Sequence, residues 1–508
     1  MERLNTIRLH ETDNVVVAVR DLEQGTSLGE HNLFARQDVP RGHKAATAPI
    51  AKGDPVLKYG QVIGFAARDI DPGEHIHTQN LEFKAVELDY AIGADAKPTE
   101  FVPEAERATF MGIRRANGRI ATRNYIGILS SVNCSATVAK AVSSQIDRSG
   151  ILNDYPNVDG VVALTHGTGC GMAAEGQGMD HLRRTLAGFA RHPNFAAVLI
   201  IGLGCEGNQI SRLMEAEGLE ESAHFQPLVM QELGGTTATV KEAIARIKAI
   251  LPEANKMERT PCPASALKLG LQCGGSDAFS GISANPALGY AADLLVRHGG
   301  TAILAETPEI YGAEHLLTRR AEDPEVAHKL IDMIHWWEDY TARNAGSMDN
   351  NPSPGNKAGG LTTILEKSLG AAVKGGLTNM VDVLRYAEPS TKPGFVFMDS
   401  PGYDPVSVTG QVASGCNLVV FTTGRGSCFG CRPSPSIKLA TNTPMYERMV
   451  DDMDINCGTI IDGEENVAQA GKRIFDHMLR IASGERSKSE QLGYGEDEFT
   501  PWVVGAVM

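Results

Sequence analysis

The sequence of 508 residues has no long hydrophobic run and no excess of positive charge. No stretch approaches the ~20 consecutive apolar residues that a membrane-spanning helix needs. The first residues, MERLNTIRLHETDNVV, contain no apolar signal core, so we expect a cytoplasmic protein with no membrane partner. The 47 basic and 62 acidic residues give a formal charge of −15. Because binding to a phosphate backbone needs clustered positive charge, nucleic acid is not an expected partner.

A disulfide framework and internal repeats are also missing. The nine cysteines are an odd number scattered through a long chain, which predicts free thiols. A composition of 42% hydrophobic and 21% charged residues is typical of globular proteins, and the length predicts two to four domains. A small anionic substrate remains compatible with the overall negative charge, since local arginines and metals set the field inside a pocket.

The strand and helix patterns divide the chain. Residues 1–84 contain short β-branched runs separated by turns, which predicts a small all-β domain. Residues 85–108 carry acids, alanines and prolines without periodicity and are predicted to be a linker. From about residue 110, near-continuous apolar runs such as AAVLIIGLG and LVVFTTGRG alternate with helical patterns. This alternation predicts an α/β fold with a parallel sheet covered on both faces.

Reactive residues follow three of these predicted strands. Ligands of open parallel sheets bind beyond the carboxyl ends of the strands, so distant loops can meet there. Thiolate, imidazole and carboxylate together suit Fe or Zn rather than Mg or Ca. The alternative is that small cysteines simply pack well at crowded sheet ends. The three segments are His166-Gly-Thr-Gly-Cys170, Gly204-Cys205-Glu206 and Cys273-Gly-Gly-Ser276-Asp277.

A second interpretation of one of these loops is a dinucleotide site. Residues 202–207, GLGCEG, match G-x-G-x-x-G after a strand, and Glu232 follows the next predicted strand. An NAD-dependent oxidoreductase is therefore an alternative. Against it, the match places Cys205 and Glu206 where a pyrophosphate would approach.

Cations and histidines complete the set of candidates. Lys357 ends the turn-forming segment 351–357 and Arg425 follows another strand, so either residue could bind a carboxylate. His75 and His77 share one face of a strand in the N-terminal domain, with His43 and His10 as further candidates. Cys428 and Cys431 form a single C-x-x-C motif, to which we assign no role.

Over nearly its whole length the chain resembles the altronate/galactarate dehydratase family. The N-terminal domain is similar to the SAF, or β-clip, domain of these enzymes. Its matching segments are His10-Glu-Thr-Asp13-Asn14, Arg41-Gly-His43-Lys44, Lys58-Tyr-Gly60 and Gly73-Glu-His75-Ile-His77. The remainder matches through GLGCE at 202–206, CGGSD at 273–277, SGISANP at 280–286, NPSPGNK at 351–357 and TGRG at 423–426.

The resemblance implies a hydro-lyase that converts a sugar acid into a 2-keto-3-deoxy acid with divalent iron. It implies a middle α/β domain at 109–260 that contributes to a homodimer. It also implies a Rossmann-like catalytic domain at 261–508 that binds no NAD. An alternative to a single iron ion is an iron–sulfur cluster on Cys170, Cys205 and Cys273, and Mn(II) is an alternative to iron.

The substrate stays open between an aldonate and an aldarate. The pair His75 and His77 is similar to the altronate pattern, whereas residues 262–265, 276–279 and 453–456 are more similar to the galactarate pattern. Segment 427–431 departs from both patterns. A related sulfolactate-type C–S lyase is a further alternative, although its SAF part is a separate subunit. A sugar-acid-binding protein without activity is the remaining class.

The reaction assigns expected roles to these residues. The catalytic candidates are His166, Lys357, Arg425, His75 and His77. The substrate-binding candidates are His43, Ser276, Asp277 and Asn356. The metal candidates are Cys170, Cys205, Cys273 and Glu206. We expect the N-terminal domain to fold over the crevice of the large domain and to contribute His75 and His77 to a closed site.

Overall fold

The structure is a computed structural model that describes residues 4–29 and 32–508. The N-terminal domain consists of two small antiparallel sheets, with strand orders β1-β2-β3-β6 and β4-β5-β7. Val15, Val56 and Ile63, which come from both sheets, are buried in one cluster because apolar residues of the short strands face inward. The strands are β1 Thr6–Ile7, β2 Val15–Ala18, β3 Lys44–Ala46, β4 Pro55–Lys58, β5 Gln61–Ala66, β6 His75–Ile76 and β7 Leu81–Glu82.

The middle part of the chain contains a parallel sheet with the order β11-β10-β12-β13. Strands β8 and β14 pair antiparallel in a separate three-stranded sheet that also contains β9. The elements are β8 Thr109–Arg114, β9 Ile120–Ala121, β10 Tyr125–Ser130, α1 Asn133–Ser149, β11 Gly160–Leu164, α2 Gln177–Ala190, β12 Phe195–Gly202, α3 Ile210–Glu217, β13 Phe225–Val229, α4 Met230–Leu233, α5 Thr236–Ala254 and β14 Arg259–Pro263.

The C-terminal part is built on a seven-stranded parallel sheet with the order β17-β18-β16-β15-β19-β20-β21. Its first elements are β15 Lys268–Cys273, α6 Ala284–Arg297, β16 Thr301–Leu304, α7 His315–Thr318, α8 Pro324–Arg343, α9 Pro354–Ala358, α10 Ile364–Ala372 and β17 Met380–Leu384. They are followed by β18 Gly394–Met398, α11 Asp404–Ala413, β19 Leu418–Thr423, β20 Ser436–Ala440, α12 Thr443–Arg448, β21 Ile455–Asn456, α13 Val467–Ala482 and α14 Lys488–Gln491.

The predicted α/β class and the all-β N-terminal domain are confirmed. Strands β12, β15 and β19 are buried along nearly their whole length, as expected for strands covered by helices on both faces. The chain runs from β15 to β16 on one side and later to β19 on the other side of β15. Strand β15 therefore lies where the strand order reverses, which is where open α/β sheets bind ligands.

None of the helices in the described part of the chain combines the length and the apolar character that spanning a bilayer requires.

Candidate active site

The N-terminal and C-terminal domains meet at the loop between α9 and α10. A Cβ atom on Gly360 would lie only 2.4 Å from the Gly42 carbonyl oxygen, and the φ of Gly360 is +97°. Only glycine allows this approach in that conformation. On its other side the loop accepts a hydrogen bond of 2.9 Å from the Ala278 N–H to the Gly359 carbonyl oxygen. The loop thus connects the N-terminal domain to the segment after β15.

A buried charge network holds the two domains together. The Lys44 ammonium lies 2.8 Å from Glu366 Oε2, and the Lys58 ammonium lies 2.9 Å from Glu366 Oε1. All three side chains have no exposed surface. Lys44 also donates to the Gly360 carbonyl oxygen at 2.7 Å. Two cations share one carboxylate here, so the network carries a net positive charge when all three groups are ionised.

The pKa values of this network show how strongly the groups depend on one another. Burial would raise the pKa of Glu366, but Lys44 and Lys58 hold it well below its usual range. Burial lowers the pKa of Lys44 to about 8. The Glu366 carboxylate outweighs the burial of Lys58 and raises the pKa of that lysine. All three groups are therefore charged near pH 7.

Three histidines of the N-terminal domain lie beside this network. His43 Nδ1 and His75 Nε2 are 2.9 Å apart, so one ring donates a hydrogen bond and the other accepts it. The ring centroid of His77 lies 4.7 Å from that of His43 and 5.8 Å from that of His75. Burial, with the neighbouring positive charges, lowers the pKa of His75 and of His77 to about 4 and lowers that of His43 too. The three rings are therefore neutral at pH 7 and able to accept protons.

Asp277 anchors the C-terminal side of the junction. Its carboxylate is buried and accepts hydrogen bonds from Thr441 Oγ1 at 2.9 Å, Asn442 Nδ2 at 3.0 Å and Ser280 Oγ at 3.1 Å. Burial raises the pKa of this carboxyl group, although the hydrogen bonds oppose the shift. Because the Phe279 N–H also donates to it at 3.1 Å, Asp277 orders the loop after β15 through hydrogen bonds from four residues.

The remaining candidates of this region come from adjoining loops. Asn356 Nδ2 donates to the Ser276 carbonyl oxygen at 2.8 Å, and Lys357 follows it in α9. The Arg425 N–H donates to the Gly275 carbonyl oxygen at 2.9 Å. The structure thus brings eight predicted site residues to one junction: His43, His75, His77, Ser276, Asp277, Asn356, Lys357 and Arg425.

A second buried group of reactive side chains lies at the carboxyl ends of β15 and β16. One ligand atom from each of Cys273, Glu306 and Glu309 lies within 4.8 Å of the other two, as in a site able to hold a metal ion. Both carboxylate oxygens of Glu306 are buried without a hydrogen-bond partner among the described residues. Burial raises the pKa of Cys273 to about 12 and that of Glu306 well above its ordinary value.

Two lysines, in α10 and just after it, balance the negative charge of this group. Lys374 Nζ lies 2.7 Å from Cys273 Sγ, and Lys367 Nζ lies 2.7 Å from Glu309 Oε1. Burial would lower the pKa of Lys367 and Lys374, but the neighbouring acids outweigh it and raise both values. Glu366 and Lys367 are consecutive on α10. Because Glu366 belongs to the domain junction and Lys367 pairs with Glu309, this helix connects the junction to the group of Cys273, Glu306 and Glu309.

The other predicted residues lie on the middle sheet. His166 follows β11, and its Nε2 atom hydrogen-bonds to the Ser130 carbonyl oxygen at 2.9 Å. Burial lowers the pKa of His166 to about 4. Cys170 and Cys205 are exposed in the loops after β11 and β12, whereas Cys273 is buried in the other sheet.

The expected meeting of three thiolates around one ion is therefore not seen. In the part of the chain that the structure describes, only Cys273, Glu306 and Glu309 form a group of three or more ligands within reach of one ion. The prediction placed three strand ends at one edge, but β11 and β12 belong to one sheet and β15 to another.

The G-x-G-x-x-G loop also has a specific local structure. The Glu206 carboxylate accepts hydrogen bonds from Leu203 N at 3.2 Å and Gly204 N at 2.5 Å. These backbone groups would have to face a pyrophosphate in a dinucleotide site, so Glu206 occupies the position that the phosphate needs.

Known proteins and family models match nearly the whole length of the chain. Three family models match: altronate/galactarate dehydratase SAF domain at residues 4–84, D-galactarate dehydratase/altronate hydrolase second domain at 112–255, and D-galactarate/altronate dehydratase C-terminal at 264–507. Galactarate dehydratase (L-threo-forming) of Escherichia coli is 40% identical over 496 residues, which cover 96% of this chain and 94% of that protein. Altronate dehydratase of Bacillus subtilis is 36% identical over 495 residues, 96% of this chain and 97% of that protein.

The chain belongs to the altronate/galactarate dehydratase family.

Family membership confirms the predicted enzyme class, because the relatives named dehydratases are hydro-lyases. A more distant relative is the (2R)-sulfolactate sulfo-lyase subunit beta of Chromohalobacter salexigens. It is 33% identical over 398 residues, which cover 77% of this chain and 97% of that subunit. That match covers a smaller share of the chain than the matches to the two dehydratases, which cover 96% each.

Sequence reasoning missed the buried charges of this family member. Glu306 and Glu309 follow the apolar run of β16, and an acid directly after a buried strand was a usable signal. Lys44, Lys58 and Glu366 gave no such signal, since lysine and glutamate are mostly surface residues. Their burial depends on contact between two domains.

Proposed function

We propose that this chain dehydrates a sugar acid to a 2-keto-3-deoxy acid at the junction of its N-terminal and C-terminal domains. One observation carries the proposal: three neutral histidines lie beside a buried network with two lysines and one carboxylate. Lys357 of α9 and Arg425 of the loop after β19 add positive charge beside it. In a chain with a formal charge of −15, this local excess of cations suits a carboxylate substrate.

The histidines supply the proton chemistry. A neutral imidazole nitrogen accepts the proton α to the substrate carboxylate, and a protonated imidazole donates to the β-hydroxyl group, which leaves as water. The 2.9 Å contact between His43 Nδ1 and His75 Nε2 lets a proton move between the two rings. The enol that remains tautomerises to the 2-keto acid. Lys357 and Arg425 are proposed to orient the substrate carboxylate.

We propose further that Cys273, Glu306 and Glu309 bind the divalent iron of this reaction, with Mn(II) as a substitute. The donors fit such an ion, because a thiolate and two carboxylates suit a first-row transition metal. Among the described residues neither Glu306 oxygen has a hydrogen-bond partner, and its ion pair with Lys374 is long, at 3.8 Å. When bound, a divalent ion would stabilise negative charge on substrate oxygens. The raised pKa values of Cys273 and Glu306 mean that binding must displace protons.

Removing one of these ligands tests the iron site. We expect Glu306→Gln to weaken iron binding by at least about tenfold, since even residues that only orient a ligand are worth 10–100-fold. The measurement is the amount of iron that the anaerobic protein retains as the chelator concentration is raised. Iron that is accompanied by acid-labile sulfide is subtracted from this amount. Glu314→Gln is the matched control, because Glu314 is buried nearby but lies outside the ligand group. Equal iron retention in both variants would exclude this site.

A substrate screen tests the activity itself. The anaerobic enzyme with Fe(II) is supplied with aldonates, aldarates and sulfolactate, and 2-keto acid and sulfite are measured. We expect 2-keto acid from at least one sugar acid and no sulfite. Sulfite from sulfolactate without 2-keto acid from any sugar acid would assign the chain to C–S cleavage instead. The screen also decides between an aldonate and an aldarate as substrate.

A further inference from the structure

Three exposed cysteines lie along one edge of the middle sheet. Cysteine is among the residues most often buried, yet Cys134, Cys170 and Cys205 are all exposed. They follow β10, β11 and β12, which are neighbours in the order β11-β10-β12. Because these strands are parallel, their carboxyl ends share one edge of the sheet. The dehydratase proposal uses none of these three residues.

The loops that carry the three cysteines are in direct contact. The Asn133 N–H donates to the Thr168 carbonyl oxygen at 2.9 Å, and the Asn208 N–H donates to the Gly169 carbonyl oxygen at 2.9 Å. Asn208 Nδ2 also donates to the Ser131 carbonyl oxygen at 3.2 Å. These contacts involve residues within three positions of each cysteine. The three segments therefore contact one another at this edge of the sheet.

Side-chain hydrogen bonds hold the Cys205 loop against the end of β10. Ser131 Oγ donates to the buried Glu206 carboxylate at 2.7 Å, and the Gly204 N–H donates to it as well. Gln231 Nε2 donates to Cys205 Sγ at 3.4 Å, the kind of contact that stabilises a thiolate bound to a cluster. These contacts fix the position of the Cys205 loop relative to the end of β10.

A cavity of about 600 Å³ opens at the same edge. Cys170 lines it, as do Asn133 and Ala136, which flank Cys134 in the first turn of α1. Lys140 and His166 contribute polar surface to the cavity. The cavity thus leaves open space beside Cys170 and the start of α1, whereas Cys205 lies outside its lining.

The three thiols are not gathered as closely as the ligands of a single ion. A metal–sulfur bond is about 2.3 Å long, so two thiolates on one ion lie no more than about 4.6 Å apart. The three sulfur atoms do not all lie within 4.8 Å of one another, because they are absent from the one ligand group of that size among the described residues. A cluster binds each thiolate through a different iron and so holds the sulfur atoms further apart.

We propose that Cys134, Cys170 and Cys205 bind an iron–sulfur cluster, with one thiolate on each of three irons. A four-iron cluster would then have one iron without a thiolate from this chain. Each thiol loses its proton on binding, and no oxidant is required when iron and sulfide are supplied in the oxidation states of the cluster. This set replaces the cysteine trio expected from the sequence: Cys134 takes the place of Cys273.

Acid-labile sulfide tests the cluster directly. The full-length chain is purified and reconstituted anaerobically with iron and sulfide, and sulfide content and visible absorption are measured. We expect sulfide in roughly equal amount to the cluster iron, and a loss of about tenfold or more in Cys134→Ser, Cys170→Ser and Cys205→Ser. Cys428→Ser is the control, because Cys428 is exposed elsewhere. No sulfide in the reconstituted wild type, or unchanged sulfide in Cys134→Ser, would overturn the proposal.

Alkylation gives a second measurement that needs no variant. With the cluster loaded, Cys134, Cys170 and Cys205 should be protected from an alkylating reagent, and removal of iron should expose them, while Cys428 reacts in both states. Equal reaction of the three in both states would contradict cluster binding. If the protein binds no sulfide but still forms 2-keto acid, the cluster proposal is wrong and the dehydratase proposal stands. If the protein binds sulfide but forms no 2-keto acid, the dehydratase proposal is wrong and the cluster proposal stands.

Discussion

Replacing Glu366 by glutamine is expected to lower the free energy of unfolding by about 3–5 kcal/mol. The variant leaves Lys44 and Lys58 buried without their shared carboxylate, and both ammonium groups have no exposed surface. Removing one partner of a buried pair costs more than the pair itself contributes, because the remaining charge stays out of water. The N-terminal domain should separate from the C-terminal domain first. Denaturant unfolding, with limited proteolysis of the linker, measures both effects.

A matched variant in the same network removes one of the two cations and leaves the buried charges balanced. Lys58→Met leaves one ammonium for one carboxylate, so it should destabilise the protein much less than Glu366→Gln. An external control is Glu325→Gln, since Glu325 pairs with Lys329 at 3.7 Å on the surface. Exposed helix pairs of this kind contribute about 0.3–0.5 kcal/mol. If Glu366→Gln cost no more than Glu325→Gln, the buried network would not be what holds the domains together.

The site loops of the C-terminal sheet could be predicted from the sequence because the local residue pattern marks where each strand ends. Apolar runs end in glycine-rich segments at Ser276 and Arg425, and parallel strands place such ends at one edge. The pairing of β15 with β19 brings these two loops together. The shared face of His75 and His77 followed in the same way from the alternation of side chains along a strand.

Sheet membership could not be predicted from the strand patterns. Strands β12 and β15 are both near-continuous apolar runs, so their local composition gives no sign that they belong to different sheets. The separation of Cys205 from Cys273 follows from long-range packing. For the same reason Cys134 was missed: only the strand order places it between the loops of β11 and β12.

Glu366 shows a second limit of sequence reasoning. Its hydrogen bonds to Lys44 and Lys58 join positions more than 300 residues apart. A glutamate on a helix is normally a solvated residue, and nothing near position 366 indicates two buried cations. Contacts between domains decide this site, and a single sequence contains no local trace of them.

Replacing His77 by alanine is expected to lower kcat by about 10²–10⁴-fold, the range that a positioned acid or base contributes. The ring lies 4.7 Å from that of His43, and its Nδ1 atom is buried without a partner among the described residues. Because it contributes no charge at pH 7, its loss should change KM less than kcat. His328→Ala, a change at an exposed histidine of α8, is the control. Wild-type kcat in His77→Ala would refute a catalytic role.

The pH profile distinguishes a proton-transfer role for these histidines from a structural one. Burial holds the pKa of His75 and of His77 at about 4, below the ordinary histidine value, so the neutral, proton-accepting form persists well below pH 6.5. The wild-type kcat/KM should therefore fall only as the pH drops from about 6 toward 4. The same groups favour the unfolded state in that window, because unfolded histidines protonate first and stability declines as the pH falls. Activity measured under conditions where the fold is intact separates the two effects. An acidic limb at or above pH 6.5 in the folded enzyme would show that a group outside this histidine cluster accepts the proton.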